Sequence, residues 1–355
     1  MSGKCFINGI AGISAQLTTD GDAFFDDVVE HTELIFRAID PDYKKYIKPA
    51  AMRRMSKSVK MGVTASQMAL DQAGIEMPDA IITGTGMGCK QDSEKFLENI
   101  LHNDEQFLTP TLFIQSTHNT VGGQIALGLN CKAYNVTYVQ AAASFEVALM
   151  DAKLKLLEKE NQHILVGGID EIAKNSSRLH TLDGHIKSEP LAVIDLLFST
   201  SSGTVTSEGA TFMTVTNDSS NKNIAEILDV TIFNQATPEE VEDELKEFMQ
   251  RNSVEISDLD AVILGTNGDG DFDLYYHKLQ QGVFADVQQI GYKHLIGEHH
   301  TASAFAYWLG CKIFNKQQLP EIVKMNKKET SSFKTILLYN QYRGKNHSFA
   351  LLQQC

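Results

Sequence analysis

Long hydrophobic runs are missing from this chain of 355 residues, although 43% of its residues are hydrophobic. A helix that crosses a bilayer needs about 20 apolar residues in succession, so no membrane span is expected. Lys4 is followed by the strand-like segment Cys5 to Ile10, where a signal peptide would have an apolar helix. The sequence therefore predicts a cytoplasmic protein that buries a large apolar core.

Cysteine is scarce: the chain has five, and no two of them are spaced as C-x-x-C. An odd number without that spacing is typical of reduced thiols and argues against a zinc site. Cys89, at the end of the glycine-rich segment Gly84–Cys89, is interpreted as a buried loop thiol. We expect neither a metal nor a cofactor.

Positive charge is also in deficit, with 31 Lys and Arg residues against 45 Asp and Glu residues and a net charge of −14. Such a chain repels phosphate groups, which excludes nucleic acid as a partner. The densest basic stretch contains Arg53, Arg54, Lys57 and Lys60. A solvated helix face is the favoured interpretation of that stretch, with partner docking as the alternative.

The sequence does contain an alternation of strand and helix patterns, and this alternation occurs twice. One series begins with the strand pattern at Cys5–Ile10 and the other with that at Ile224–Phe233. Alternating elements predict an α/β fold of parallel sheets covered by helices on both faces. The polar segment Asp218–Asn223 separates the two series, so we predict two halves, residues 1–217 and 224–355.

Local signals are uneven along the chain. Thr237 followed by Pro238, Glu239 and Glu240 has the cap, the first-turn proline and the acids of a helix start. Residues 11–55 and 172–203, by contrast, show no clear periodicity. Segments of this length inside a compact domain tend to be functional or to pack over a partner.

Five segments in order resemble motifs of the β-ketoacyl synthases, the ketosynthase branch of the thiolase-like superfamily. They are Tyr138–Phe145, Ile164–Glu171, Ser202–Ala210, Lys293–Glu298 and Arg343–Asn346. The first resembles the turn that carries the family's nucleophilic cysteine, and the last its Gly-Gly-x-Asn loop, with Arg343 in place of one glycine. The resemblance implies a thiolase-like fold of two duplicated halves in five layers, α-β-α-β-α.

The catalytic positions implied by this resemblance hold residues that cannot perform the chemistry. Ala142 occupies the place of the cysteine, and a methyl group cannot form a thioester. Leu264 and Glu298 occupy the places of the two histidines that stabilise the developing enolate. Lys293 is retained, and His299 is one place late and a possible substitute. The resemblance also implies substrate-pocket positions at His118, Gln140 and Asn346, although for His118 we favour a structural hydrogen bond.

Three functions remain open on this evidence. The favoured one is a chain-length-factor-like subunit that pairs with an active ketosynthase in a fatty acid or polyketide system, for example an aryl polyene or flexirubin-type system. The second is an acyltransferase or malonyl decarboxylase of altered mechanism, and the third an acyl-binding homodimer. The family dimerises through a strand that maps near Tyr134–Gln140. An acyl carrier protein is acidic, so we expect it to dock mainly on the partner chain.

Overall fold

The computed structural model of the protein describes residues 3–355. The strands are β1 (Phe6–Ile13), β2 (Ile35–Phe36), β3 (Ala80–Gly84), β4 (Tyr134–Tyr138), β5 (His163–Asp170), β6 (Thr206–Ser207), β7 (Gly209–Thr216), β8 (Ala225–Asn234), β9 (Ala261–Leu264), β10 (Gln288–Gly291), β11 (Thr335–Tyr342) and β12 (Asn346–Gln354). The helices are α1 (Pro49–Met52), α2 (Lys57–Ala73), α3 (Lys90–His102), α4 (Pro110–Gln115), α5 (Thr120–Leu129), α6 (Ser144–Lys155), α7 (Lys174–Leu182), α8 (Val193–Leu197), α9 (Pro238–Arg251), α10 (Leu274–Gln281), α11 (Lys293–Ile296) and α12 (Ser303–Lys316).

Ten of these strands form two five-stranded units with the same topology. Their orders are β4-β3-β5-β7-β1 and β10-β9-β11-β12-β8. The units meet where Phe6 and Ile7 of β1 pair with Glu226 and Ala225 of β8. The repeated order confirms the duplication that the alternating pattern indicated.

The prediction of parallel sheets was wrong in part. In each unit three neighbouring strands are parallel, and the remaining two pair antiparallel. In the second unit the cause is local, because β11 and β12 are joined by a tight turn at Arg343 and Gly344. Strands joined by so short a turn can pair only antiparallel.

The layers follow α-β-α-β-α, which confirms the thiolase-like fold class. Helices α6 and α12 pack together between the two units, and the central core takes side chains from both. Helices α2 and α5 cover the outer face of the first unit, and α9 and α10 that of the second. Helix α12 is apolar on nearly every side, as a helix enclosed by two sheets must be.

Helix α9 begins where its sequence signal indicated. The Thr237 side chain accepts a hydrogen bond from the Glu240 amide, and Glu240 accepts one from the Thr237 amide. This capping box, with Pro238 in the first turn, confirms the predicted start. Helix α7 and helix α8, by contrast, lie in the segment 172–203 for which no element was predicted. Within residues 3–355, no helix combines the length and apolar character needed to cross a membrane.

Candidate functional site

The turn between β4 and α6 is a sharp elbow. Ala141 has a left-handed backbone with φ of +47°, which a residue other than glycine rarely adopts. Ser144 stabilises the turn, since its Oγ accepts from the Gln140 amide at 2.8 Å and lies 2.6 Å from the Ala141 carbonyl oxygen. Ala142 and Ala143 are buried beneath it. Ala142 stays the predicted nucleophile position, and the strained backbone makes Ala141 a second candidate; each carries a methyl group.

Lys293, the first residue of α11, and Glu298, in the segment after it, form a buried ion pair. The Lys293 Nζ to Glu298 Oε2 distance is 2.7 Å, and the two side chains are 1% and 4% exposed. The same Oε2 accepts a hydrogen bond from Asn267 Nδ2 at 2.7 Å. Each donor is therefore already engaged by the carboxylate, and the pair carries no net charge.

The structure does not bring Leu264 to this pair. Leu264 ends β9 and is fully buried in the outer core beneath α9 and α10, with Val262 on the same face of the strand. Asn267, three residues later, supplies the side chain that reaches Glu298. Sequence reasoning missed Asn267, whose only signal was its place directly after Gly265–Thr266.

A polar cavity of about 80 Å³ lies beside the ion pair. It is bounded by the start of α3, the end of β5, α7, the loop after β9, the segment after α11 and the β11–β12 turn. Its charged and aromatic lining consists of Lys90, Asp170, Glu171, Asp269, Glu298, Arg343, Tyr342, His180, His185, His299 and His300.

Both histidines that follow Glu298 reach the cavity. His299 Nδ1 lies 2.9 Å from Ser207 Oγ, and burial lowers the pKa of His299 to about 4, so its ring is neutral at pH 7. His300 packs against Tyr342, with ring centroids 5.2 Å apart. A Cβ at Gly86 would lie 2.3 Å from the His300 ring, so only glycine leaves that ring its place. The role of His299 as a substitute donor stays a prediction.

Two carboxylates of the Gly-Gly-x-Asp motif tie the cavity wall together. Asp170 accepts hydrogen bonds from the Gly86, Met87 and Thr301 amides and from the Thr85 and Thr301 hydroxyls, at 2.8 to 3.2 Å. Glu171 accepts from the amides that open α2 and α3, those of Ser58 and Gln91, and burial raises its pKa to about 7. These contacts give both carboxylates a structural role.

The arrangement of the turn between β11 and β12 also differs from its family motif. Arg343 and Gly344 both have positive φ, 50° and 62°. Arg343 therefore adopts a backbone conformation that glycine adopts most readily, at the position where the sequence predicts the family's glycine. Its guanidinium lies 4.7 Å from the Phe272 ring centroid and 3.8 Å from Asp269, which fixes it on the cavity wall.

The three predicted pocket residues do not lie together. Gln140 and Asn346 share an open groove of about 390 Å³ with Tyr138 and Met150, outside the polar cavity. His118 is exposed in the turn between α4 and α5, next to Gly88. Within residues 3–355 its ring makes no hydrogen bond, so the structural bond we favoured is not observed.

Cys89 is a buried thiol, and the described part of the chain contains no cluster suited to a metal ion. Burial raises the pKa of the Cys89 thiol to about 11, and Ser58 Oγ donates to its sulfur at 3.3 Å. Such a thiol is inert as a nucleophile. Among residues 3–355, no group of three or more His, Cys, Asp or Glu side chains is arranged to hold a metal ion.

The elbow and the layers are those of a ketosynthase-type fold, and comparison with known proteins identifies the family. The family described as Beta-ketoacyl synthase, N-terminal domain, matches residues 26–220, more than half of the chain. The chain therefore belongs to the β-ketoacyl synthase family. No curated protein sequence matches it.

Solved structures share the fold at low sequence identity. "The ishigamide ketosynthase/chain length factor" is 15% identical with a TM-score of 0.82, and the match covers 100% of both chains. A chain of the structure described as "AntDE:AntF (apo): type II PKS acyl-carrier protein in complex with its ketosynthase bound to the hexaketide" is 14% identical with a TM-score of 0.76, over 99% of this chain and 100% of the other. A chain of the complex of the ketosynthase ApeO with its chain length factor ApeC from Xenorhabdus doucetiae is 12% identical with a TM-score of 0.75, over 99% of this chain and 98% of the other.

Proposed function

We propose that the chain is a catalytically silent, chain-length-factor-like subunit that pairs with an active ketosynthase. The observation that carries this proposal is an elbow with the strained backbone of a nucleophile turn and only methyl groups on it, from Ala141 to Ala143. A fold that keeps the turn while lacking the sulfur supports a structural use of this region. Fatty acid or polyketide assembly, including aryl polyene or flexirubin-type systems, is the proposed setting.

The ion pair supports the same proposal. Decarboxylation of a malonyl group builds negative charge on an enolate oxygen, which needs hydrogen-bond donors free to receive it. Here Lys293 and Asn267 both donate to Glu298 instead. A carboxylate at this place would repel an enolate, and it already occupies the donors that could stabilise one.

The partner would pair at the exposed edge of the first unit. Strand β4 ends the sheet, and within residues 3–355 no strand pairs with its outer edge. Tyr134, Val139, Met150, Leu154 and Leu157 are exposed large apolar side chains on β4 and α6 and beside them. Proteins seldom leave a strand edge flanked by apolar side chains open to water. This surface supports the dimer strand predicted at Tyr134–Gln140.

Carrier docking is proposed mainly on the partner chain. The basic stretch near α2 is weaker than its sequence indicates, because Lys57 Nζ lies 2.6 Å from the buried Glu208 and 3.4 Å from Asp40. Arg53 and Arg54 stay available at the surface, as the fallback site. On a chain of net charge −14, two exposed arginines give little attraction for an acidic carrier.

Co-expression with the nearest intact ketosynthase of the same genome tests the proposal. A tag on this chain alone should recover a stable pair, and the pair should elongate malonyl-carrier only when both chains are present. Replacing the partner's nucleophilic cysteine should abolish elongation, whereas Ala142→Ser in this chain should leave it unchanged. Elongation by the isolated chain would contradict the proposal.

Decarboxylation by the isolated chain would favour the second candidate function. The observation in its favour is His299, which lies on the cavity next to Glu298. In that case His299→Ala should abolish release of carbon dioxide from malonyl-carrier. If the chain is a silent subunit, neither the parent chain nor His299→Ala should release carbon dioxide from malonyl-carrier.

A further inference from the structure

A second and smaller cavity lies in the central layer of the fold. Residues of α6, α12, β11 and β12, together with the residue before α11, line this cavity. Every residue that lines it is buried, and about 10 Å³ of its space is open to the centre of a water molecule. A cavity needs about that volume to contain one water, so this one has room for a single small ligand.

Unpaired polar atoms are concentrated at this cavity. Ten buried side-chain nitrogen and oxygen atoms lack a hydrogen-bond partner within residues 3–355, and four of the ten belong to residues that line it. The four are Glu146 Oε2, Tyr292 OH, Ser303 Oγ and Asn340 Oδ1, on residues that are 1% to 8% exposed. Buried polar groups in native proteins are nearly always hydrogen-bonded, so these four atoms indicate a bound molecule.

The hydrogen-bonding capacity of the four atoms matches that of one water molecule. Burial raises the pKa of Tyr292 well above its ordinary value, and Glu298 and Glu146 act in the same direction, so the hydroxyl keeps its proton. Tyr292 and Ser303 can therefore each donate, whereas the Asn340 carbonyl oxygen and an ionised carboxylate can only accept. A water molecule accepts two hydrogen bonds and donates two, so one water satisfies all four atoms.

Glu146 has a donor for only one of its two carboxylate oxygens. Ser348 Oγ donates to Oε1 at 3.2 Å. Burial raises the pKa of Glu146, while the Ser303 hydroxyl, its own backbone amide, the Ser348 hydroxyl and Lys293 lower it. Its place in the first turn of α6 also favours the ionised form, since a helix N-terminus attracts negative charge. A buried carboxylate oxygen without a donor is costly, so Oε2 requires a donor of its own.

We propose that this cavity binds one water molecule, held by Glu146, Tyr292, Ser303 and Asn340, and that the water joins the two five-stranded units. Glu146 lies on α6, between β4 and β5 of the first unit, whereas the other three residues follow β10 of the second. A monovalent cation suits the site less well. The hydroxyl protons of Tyr292 and Ser303 would have to turn away from it, and the described residues offer them no other acceptor. The water site does not depend on the proposed pairing with a ketosynthase.

Crystals of the full chain test the site directly. We expect one isolated peak of electron density within hydrogen-bond distance of the four atoms, with the height of a water oxygen. Crystals grown with rubidium chloride should show no anomalous signal at this peak, because a water molecule does not exchange for a cation. A rubidium signal would replace the water by a cation, and a cavity without density would mean that the four side chains pair in another way. Either result would overturn the proposal.

The stability of two variants tests whether the hydroxyls are paired. Removing a hydrogen-bonded hydroxyl loses a bond, whereas removing an unpaired one removes only a group that is costly to bury. Tyr292→Phe should therefore raise the unfolding equilibrium constant about fivefold, measured by urea denaturation, and Ser303→Ala should do the same. Because both hydroxyls bind the same water, the effect of the double variant should differ from the product of the single effects.

Thr64→Val is the matched control. The Thr64 hydroxyl is also buried without a partner in the described part of the chain, but it lies on α2 and lines none of the cavities described above. Its removal should leave the unfolding equilibrium constant unchanged or lower it, and its effect should multiply with that of Tyr292→Phe. If Tyr292→Phe behaves as Thr64→Val does, the water site is wrong. Neither measurement involves the partner or a carrier, so both can fail while the proposed function stands.

Discussion

Lys293 and Glu298 have a structural role as a buried ion pair. Removing two charges from water is costly, and their attraction offsets this only with close geometry and further hydrogen bonds. The pair has both, through the 2.7 Å contact and the Asn267 amide. The local fold therefore depends on the two residues together.

Lys293→Met should leave the Glu298 carboxylate buried without its cation. We expect this change to lower the free energy of unfolding by about 3–5 kcal/mol, measured by urea denaturation. The double variant Lys293→Met, Glu298→Gln removes the charge as well, so it should be about 2 kcal/mol more stable than the single variant. Equal stability of the two variants would mean that burying the Glu298 side chain without Lys293 carries no penalty.

Buried histidines should make the stability of the chain depend on pH. Burial lowers the pKa of His294 to about 4, below the value near 6.5 of the unfolded chain. Stability from the neutral ring is thus complete above pH 6.5 and is lost as the pH falls toward 4. Between pH 7 and 5 the parent chain should lose about 2 kcal/mol more than His294→Gln. Parallel profiles for the two proteins would exclude this assignment.

Part of the candidate site could be located from the sequence, because short motifs contain it. The alanines of the elbow and the Gly-Gly-x-Asp segment were identified from short motifs. Asn267 was not, because its contact with Glu298 joins residues that are 31 positions apart. The assignment of Leu264, likewise, stays a prediction whose side chain the structure places in the outer core. Which face a strand residue occupies depends on register that a motif does not contain.

At the scale of elements, the left-handed backbone of Ala141 strains the elbow, and substitutions in the turn can test this strain. A left-handed backbone costs a residue with a Cβ about 1–2 kcal/mol, and glycine avoids this. Ala141→Gly should therefore leave stability unchanged or raise it, by thermal unfolding. Ala143→Gly, in the same turn but with φ of −99°, should destabilise by about 0.5–1 kcal/mol. A loss at position 141 as large as that at 143 would argue against strain in the turn.

Elements with a buried stripe or a cap could be predicted, and those without could not. Helix α9 buries Val241, Leu245, Phe248 and Met249 and begins with a capping box. Helix α3 buries only Asp92 and begins at Cys89 without a side-chain cap, and α7 buries only Ser177. Helix α7 has only two apolar residues, Leu179 and Leu182, which are too few to form the periodic apolar face that identifies a helix in a sequence. This is why the region that carries His180 went unassigned.

At the scale of the whole molecule, the duplicated topology followed from the repeated alternation of elements. The mixed direction of the strands did not, since periodicity does not report the direction of pairing. The boundaries at residues 217 and 224 stay a prediction, and β1 and β8 pair directly between the two units. Long-range pairing of this kind is set by packing of the complete chain.

We expect a charge placed at the exposed edge of β4 to prevent assembly with the partner. Tyr138→Asp places a charge at the end of this strand, so it should prevent pairing with the partner, as measured by light scattering. Leu274→Asp changes an exposed apolar side chain on α10, in the outer layer of the second unit, and should leave the mass of the complex unchanged. An unaltered mass for Tyr138→Asp would place the interface elsewhere.

The five cysteines differ in burial, so their reactivity with thiol reagents can report how often the core opens. Cys5, Cys89, Cys131 and Cys311 are buried and Cys355 is exposed. Burial raises the pKa of Cys5 to about 12 and that of Cys89 to about 11, and thiol reagents attack the thiolate. Modification of the interior thiols must therefore wait for the layers to separate, while Cys355 reacts without that delay. The lag between the two phases would time how often the core opens, and whether a bound partner keeps it closed.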